Sequence, residues 1–212
     1  MAVRRNGETR GRFGGMAGIA VLVLAAALFA PQAGESFYKQ EGTPGAKDGK
    51  PREEQNREYF TDRKVVTHDG KEIRFYTDLL KGRVVLISFF YTNCPTAEPD
   101  TAKLAEIRGM LNGKDREKVL FVSVSVDPER DTPDAVKEYA KRHDPGKGWF
   151  LLTGEKANLQ EINRKLGNKS PDPESHIRIY LLGNPRTGHW IRMNQYAPSR
   201  SVAEGLHLLA EE

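Results

Sequence analysis

Cysteine is almost absent from this sequence, since Cys94 is the single one among 212 residues. A lone cysteine cannot form a disulfide within its own chain, which excludes the class of small domains held together by disulfide bonds. The thiol is therefore either ordinary apolar packing or a functional group. Its position in the fold has to decide between the two.

Net charge of one sign is also scarce once the first residues are set aside. The formal net charge is +4, and residues 1–15, with four arginines and one glutamate, contribute +3 of it, which leaves +1 for the rest. No stripe of lysine and arginine interleaved with aromatic residues occurs. The sequence therefore predicts no nucleic-acid partner.

Long hydrophobic runs are limited to one uncharged stretch of near-spanning length, over residues 13–30. Its length lies between a signal-peptide core and a short transmembrane helix. Because arginines precede it, residues 1–12 are predicted to be a basic cytoplasmic tail, with the remainder on the extracytoplasmic side, periplasmic or intermembrane. Pro31 disfavours cleavage, so we expect a membrane anchor. Secretion after signal cleavage is the alternative.

Residues 31–56 are rich in glycine, proline and charge, which is typical of a flexible linker. The folded domain is then expected over residues 57–212. Apolar patterns predict strands and helices that alternate through it. The strands are expected at residues 65–66, 73–76, 84–91, 119–126, 149–152, 177–182 and 189–193.

Helices are expected between these strands. One contains Leu104 and Leu111 and should end at Gly113; one begins at Thr132 and Pro133; the last should begin with a capping box formed by Ser201 and Glu204. A third helix, containing Leu159, Ile162 and Leu166, lies between the second and the last. The order predicts an α/β, thioredoxin-like fold, with a central mixed sheet flanked by helices and an added N-terminal hairpin.

This topology predicts where two reactive side chains meet. Cys94 follows the C-terminal end of the strand at residues 84–91, and His176 precedes the strand at residues 177–182. If these strands are antiparallel, both residues lie at the same edge of the sheet. A site at a sheet edge favours a functional role for the thiol over mere packing.

With these residues located, the sequence resembles the Sco/SenC family. The matching segments are FFYTNCPTAEP, VSVDPERDTPDAVKEYAK, GWFLLTG and SHIRIYLLG, and the resemblance as a whole covers roughly residues 57–210 in colinear order. It implies a thioredoxin fold, a single N-terminal anchor and copper delivery to a cytochrome c oxidase subunit or another copper-accepting protein. It also favours a metal carrier over an enzyme.

The resemblance also implies a ligand set. The family's first cysteine and distant histidine correspond to Cys94 and His176, whereas its second cysteine is replaced by Glu98. Thiolate and imidazole suit Cu(I), and a carboxylate suits Cu(II), so a Cys94, His176 and Glu98 site could hold either copper ion. For Glu98, the other interpretation is an ordinary solvated acid in the first turn of a helix.

Two other functions are compatible with the same residues. A single thiol on this fold could act as a thiol redox protein or peroxidase through a sulfenic acid, although Tyr91 replaces the threonine usual three residues before such a cysteine. The loss of the second cysteine would also fit a paralogue that binds proteins without metal.

Overall fold

Two apolar runs form the centre of the sheet in the computed structural model, which describes residues 38–42 and 49–212. These runs are strands β4, Val84–Phe90, and β5, Val119–Ser125, and they pair in parallel. Six of the seven residues in each of these two strands are buried, because helices cover both faces of the sheet. This confirms the buried parallel pair predicted from the sequence.

Over the described residues, eight strands form one mixed sheet in the order β1-β8-β7-β4-β5-β6-β2-β3. Their bounds are β1 Tyr38–Gly42, β2 Lys64–Thr67, β3 Glu72–Arg74, β4 Val84–Phe90, β5 Val119–Ser125, β6 Trp149–Thr153, β7 Ile179–Asn184 and β8 His189–Asn194. Strand β7 is antiparallel to β4, as predicted, with Leu86 opposite Leu182. The α/β class with a central mixed sheet is confirmed.

Six α-helices accompany the sheet among the described residues: α1 Arg52–Phe60, α2 Ala97–Met110, α3 Gly113–Lys118, α4 Pro133–His143, α5 Lys156–Lys165 and α6 Ser199–Glu211. A π-helical segment, Phe75–Leu80, and a short 3-10 turn, Pro173–Ser175, complete the set. Helix α4 begins as predicted, because the Thr132 hydroxyl accepts a hydrogen bond from the amide of Ala135 and Pro133 follows it.

Each face of the sheet supports its own apolar core. Side chains of successive strand residues point to opposite faces, so Leu86 belongs to one core while Val85 and Ile87 belong to the other. The first core is completed by helices α2, α4 and α6, and the second by α5 and the π-helical segment. This double coverage fixes the strand ends that carry the candidate site.

Two expected element boundaries differ from the structure. Gly113 begins α3 instead of ending α2, because the side chain of Asn112 caps the new helix. Helix α6 starts at Ser199, after Pro198, with no side-chain cap, so the predicted capping box of Ser201 and Glu204 is wrong. The proline ring holds φ at −54°, close to the helical value, and this permits the earlier start.

The segment expected to be a linker, residues 31–56, contains regular structure. Strand β1 pairs with β8, whose edge would otherwise lack a partner, and α1 begins at Arg52. Residues 31–37 and 43–48 lie outside the described residues, as do the predicted basic tail at 1–12 and the predicted anchor or signal at 13–30. In the described part of the chain, no helix has both the length and the apolarity needed to cross a membrane.

Candidate functional site

Cys94 lies in the tight turn that joins β4 to α2. Its amide donates a hydrogen bond to the Tyr91 carbonyl at 3.1 Å, and its own carbonyl accepts one from the Ala97 amide at 3.0 Å. The thiol is partly exposed. The turn therefore presents the sulfur at the C-terminal edge of the sheet, next to the first turn of a helix.

His176 lies between the 3-10 turn and β7, and it is buried, with 6% of its surface exposed. Its Nδ1 is 2.6 Å from the Pro173 carbonyl oxygen, so Nδ1 carries the proton and donates it. This leaves the lone pair on Nε2 free to bind a metal ion. Burial lowers the pKa of His176, which keeps the imidazole neutral at neutral pH.

Cys94 and His176 line the same small cavity, together with Tyr91, whose ring meets the imidazole edge-on at a centroid distance of 5.9 Å. Strand pairing produces this meeting, because β7 runs antiparallel to β4 and its start reaches the edge where β4 ends. Burial and the neighbouring Cys94 raise the pKa of Tyr91 to about 12. Tyr91 therefore keeps its hydroxyl proton beside the sulfur.

Glu98, the third predicted site residue, is placed differently. It is exposed and does not line the cavity. Burial lowers the pKa of His143 and the charge of Glu98 opposes this, so Glu98 lies near α4. Across the described residues, neither Glu98 nor Asp100, the other acid in the first turn of α2, forms with Cys94 and His176 a set of three metal-ligating groups whose donor atoms lie within 4.8 Å of one another.

The carboxylate that does line the cavity belongs to Asp100, on the same helix. Its Oδ2 accepts hydrogen bonds from the Thr96 hydroxyl at 2.8 Å and from Arg178 Nη1 at 3.3 Å. The sequence analysis did not single out Asp100, Thr96 or Arg178. Their spacing is the signal that could have identified them: Thr96 and Asp100 are four residues apart at a helix start, and Arg178 lies two residues after His176.

These groups form a hydrogen-bonded chain that ends on the sulfur. Thr96 Oγ1 is 3.2 Å from Cys94 Sγ and 3.1 Å from Arg178 Nη1. The Thr96 hydroxyl has one proton; while that proton goes to Asp100, its oxygen accepts from Arg178 and from the thiol of Cys94. When the thiol loses its proton, rotation of the same hydroxyl lets it donate to the thiolate instead.

A second carboxylate, that of Asp131, holds the turn between β4 and α2 to the end of β5. Its Oδ1 accepts from the amide and the hydroxyl of Thr92, at 2.9 and 2.7 Å, and its Oδ2 accepts from the Ser125 hydroxyl at 2.5 Å. Burial raises the pKa of Asp131, and these hydrogen bonds oppose that shift. Asp131 thus connects the ends of β4 and β5 directly beneath the turn that contains Cys94.

Comparison with protein families gives a match to the SCO1/SenC model over residues 52–184. A SCO2-like protein of Rickettsia conorii is 39% identical over 92 residues, which cover 43% of this chain and 43% of that protein. A SCO1 homologue of Bacillus subtilis is 32% identical over 125 residues, which cover 54% of this chain and 63% of that protein. The matched region thus spans less than two thirds of the length of either relative.

Solved structures resemble the fold over most of their length. The copper-bound structure of ScoI from Bradyrhizobium japonicum has a TM-score of 0.56 at 28% identity, covering 69% of this chain and 96% of that one. BsSco, described as a cytochrome c oxidase assembly protein of the Sco family with a disulfide switch, has a TM-score of 0.60 at 25% identity, covering 72% and 93%. The thioredoxin-like arrangement predicted from the order of elements is confirmed by these likenesses.

Proposed function

The chain belongs to the SCO1/SenC family, and from this premise we propose that it binds one copper ion between Cys94 Sγ and His176 Nε2. We further propose that it delivers this copper to a cytochrome c oxidase subunit, or to another copper-accepting protein, outside the cytoplasm. The observation that carries the proposal is that the lone cysteine and an imidazole with a free Nε2 line one cavity.

The chemistry of the donors supports copper. Thiolate and imidazole are the ligands that Cu(I) prefers, and burial lowers the pKa of His176, which keeps its imidazole neutral and able to bind a metal ion at neutral pH. The ScoI and BsSco structures are described as copper-bound and as an oxidase assembly protein, respectively, which is the activity proposed here by analogy. Membrane attachment through residues 13–30 stays a prediction.

The absence of a second cysteine limits the redox chemistry of the site. With Glu98 at that position, Cys94 has no thiol partner within the chain, so a disulfide could form only with another molecule. The third donor is then a carboxylate. Asp100 lines the cavity and Glu98 is exposed nearby, so the geometry favours Asp100, with Glu98 as the alternative ligand predicted from the sequence.

The proposal is tested by titrating the whole chain with Cu(I) under anaerobic conditions, in competition with a chromophoric chelator. We expect roughly one tightly held Cu(I) per chain, lost in Cys94→Ser and weakened about 10–100-fold in His176→Ala, with little change in the control His143→Ala, whose imidazole does not line the cavity. A folded wild-type protein that binds neither Cu(I) nor Cu(II) would contradict the proposal and favour the metal-free paralogue.

One observation favours a second candidate function, that of a thiol peroxidase. The Thr96 hydroxyl contacts Cys94 Sγ and in turn accepts a hydrogen bond from the Arg178 guanidinium. Such groups could stabilise a thiolate and polarise a peroxide. Peroxide would then oxidise Cys94 to sulfenic acid and be reduced to water or an alcohol, and an external thiol would restore the cysteine. Steady consumption of hydrogen peroxide with an added dithiol, absent in Cys94→Ser, would identify this activity.

A further inference from the structure

A second cluster of metal-ligating side chains lies at the opposite end of the central parallel strands from Cys94. Strands β4 and β5 are parallel; Cys94 follows the end of β4, whereas α3 immediately precedes the start of β5. Helix α3 contributes Asp115, and the last turns of α6, which packs against it, contribute His207 and Glu211. The cluster is therefore remote from the proposed copper site.

Asp115 is the unusual member of this cluster, because it is an acid with only 1% of its surface exposed. Its Oδ2 accepts hydrogen bonds from Asn112 Nδ2 at 2.6 Å and from His207 Nδ1 at 2.7 Å. Its Oδ1 is buried and has no hydrogen-bond partner. Buried carboxylate oxygens are nearly always paired, so an orphaned one points to a missing ligand.

Nearby cations do not fill this role. Lys118 Nζ donates to the Ala210 carbonyl at 2.8 Å, and Arg116 Nη2 donates to the carbonyls of Gly109 and Leu111, both at 3.1 Å. These positive groups bind carbonyl oxygens at the C-terminal ends of α2 and α6, and not the Asp115 carboxylate. Within the described residues, the side chain of this kind that does reach the Asp115 carboxylate is His207, at 2.7 Å, and an imidazole is itself a metal ligand when neutral.

The three side chains are close enough to share one ion. One ligand atom from each of Asp115, His207 and Glu211 lies within 4.8 Å of the other two. His207 and Glu211 are four residues apart on α6, so they occupy the same face of that helix. Ligand bonds of about 2.0–2.2 Å require a slightly tighter cluster, and rotation of the exposed Glu211 side chain supplies that movement.

We propose that Asp115, His207 and Glu211 bind a divalent transition-metal ion, specifically Zn²⁺. One imidazole and two carboxylates form a donor set suited to zinc, with water completing the coordination. The ion would bind the orphaned Asp115 oxygen and join α3 to the C-terminal helix. Since Cu(II) binds nitrogen and oxygen sites more tightly than Zn²⁺, this site would also take up a second equivalent of copper when Cu(II) is supplied in excess.

The test uses the whole chain, without a histidine tag, in a Cys94→Ser, His176→Ala background that removes the proposed copper site. We expect calorimetric titration with zinc chloride to give about one Zn²⁺ per chain, and zinc to raise the melting temperature. His207→Ala should abolish both effects. His143→Ala, which removes an imidazole outside the cluster, should retain them.

X-ray absorption of the zinc-loaded protein supplies a second readout and should show only nitrogen and oxygen ligands. Absence of stoichiometric zinc binding by the folded background protein, or equal binding by its His207→Ala version, would overturn the proposal. Because the copper proposal is tested with Cu(I) at Cys94, either site can fail without affecting the result for the other.

Discussion

At the scale of single residues, two acids on α2 are candidates for the third copper ligand. Asp100 lines the cavity that contains Cys94 and His176, while Glu98 occupies the position where the resemblance implies a cysteine. We expect Asp100→Asn to weaken Cu(II) binding by about 10–100-fold, and Glu98→Gln to change it little. Both substitutions keep side-chain shape and remove charge, so competition titrations of the two variants are directly comparable.

The opposite order of effects would return Glu98 to the ligand set and remove Asp100 from it. A third variant, Glu98→Cys, examines the scaffold itself. It restores the thiol that the family resemblance implies, and we expect it to raise the affinity for Cu(I), because a second thiolate is a softer donor than a carboxylate.

The buried imidazole of His176 makes the stability of the metal-free protein depend on pH. Burial lowers the pKa of His176 below its unfolded value of 6.5, so the unfolded state binds the proton first as the pH falls. The contribution of His176 is therefore present above about pH 6.5 and lost as the pH falls through the lower, folded pKa. Denaturant unfolding should show wild type losing more stability than His176→Asn between about pH 7.5 and 5.5.

Asparagine is the matched replacement because its amide can still donate to the Pro173 carbonyl, which accepts from Nδ1 in the wild type. Parallel loss of stability in the two proteins would mean that His176 does not titrate differently in the folded and unfolded states.

At the scale of elements, the pairing of β7 with β8 depends on a glycine, Gly183, which has no side chain to meet the facing strand. Gly183 lies opposite Trp190, and a Cβ atom added at Gly183 would lie 2.1 Å from the Trp190 ring. Trp190 is buried against Phe60, at a ring distance of 4.7 Å, so it has little room to move. We expect Gly183→Ala to lower the free energy of unfolding by about 1–3 kcal/mol, measured by chemical denaturation.

The matched control is Gly109→Ala, in the exposed face of α2, where an added Cβ meets nothing within 4 Å. This change should stabilise the protein by about 0.5–1 kcal/mol, because alanine is the better helix former. Equal effects of the two substitutions would show that backbone propensity, and not the close approach of Trp190, determines the role of Gly183.

At the scale of the whole molecule, the folded unit begins before residue 57. Helix α1 packs Phe60 into the core, and Asn56, which is buried, donates from Nδ2 to the Pro185 carbonyl at 2.8 Å. We expect a fragment of residues 49–212 to melt at a higher temperature than one of residues 57–212, since the shorter fragment leaves that carbonyl without its partner. Removing a buried hydrogen bond costs about 1–3 kcal/mol.

Asn56→Ala in the longer fragment separates this hydrogen bond from the rest of the helix, and it should lower the melting temperature by part of the difference. Identical melting of the two fragments would place the start of the cooperative unit at residue 57, where glycine, proline and charge predicted it.

The sequence by itself determined the elements whose signal is local. The apolar runs of β4 and β5 predicted buried strands, and Thr132 with Pro133 predicted the start of α4, because burial on both faces and helix capping depend on adjacent residues. Edge strand β1 and the start of α6 were missed, because they depend on a partner strand and on the proline before the helix.

For the site, the sequence determined that Cys94 and His176 meet, because strand direction fixes which ends share an edge. Only the tertiary structure decided which carboxylate lines their cavity. Glu98 and Asp100 are two residues apart on one helix, and an α-helix turns by about 200° over that distance. The side chain of Asp100 therefore lines the cavity, whereas that of Glu98 is exposed outside it. The rotation of α2 against the sheet is set by its packing on α4 and α6, which are distant in the chain.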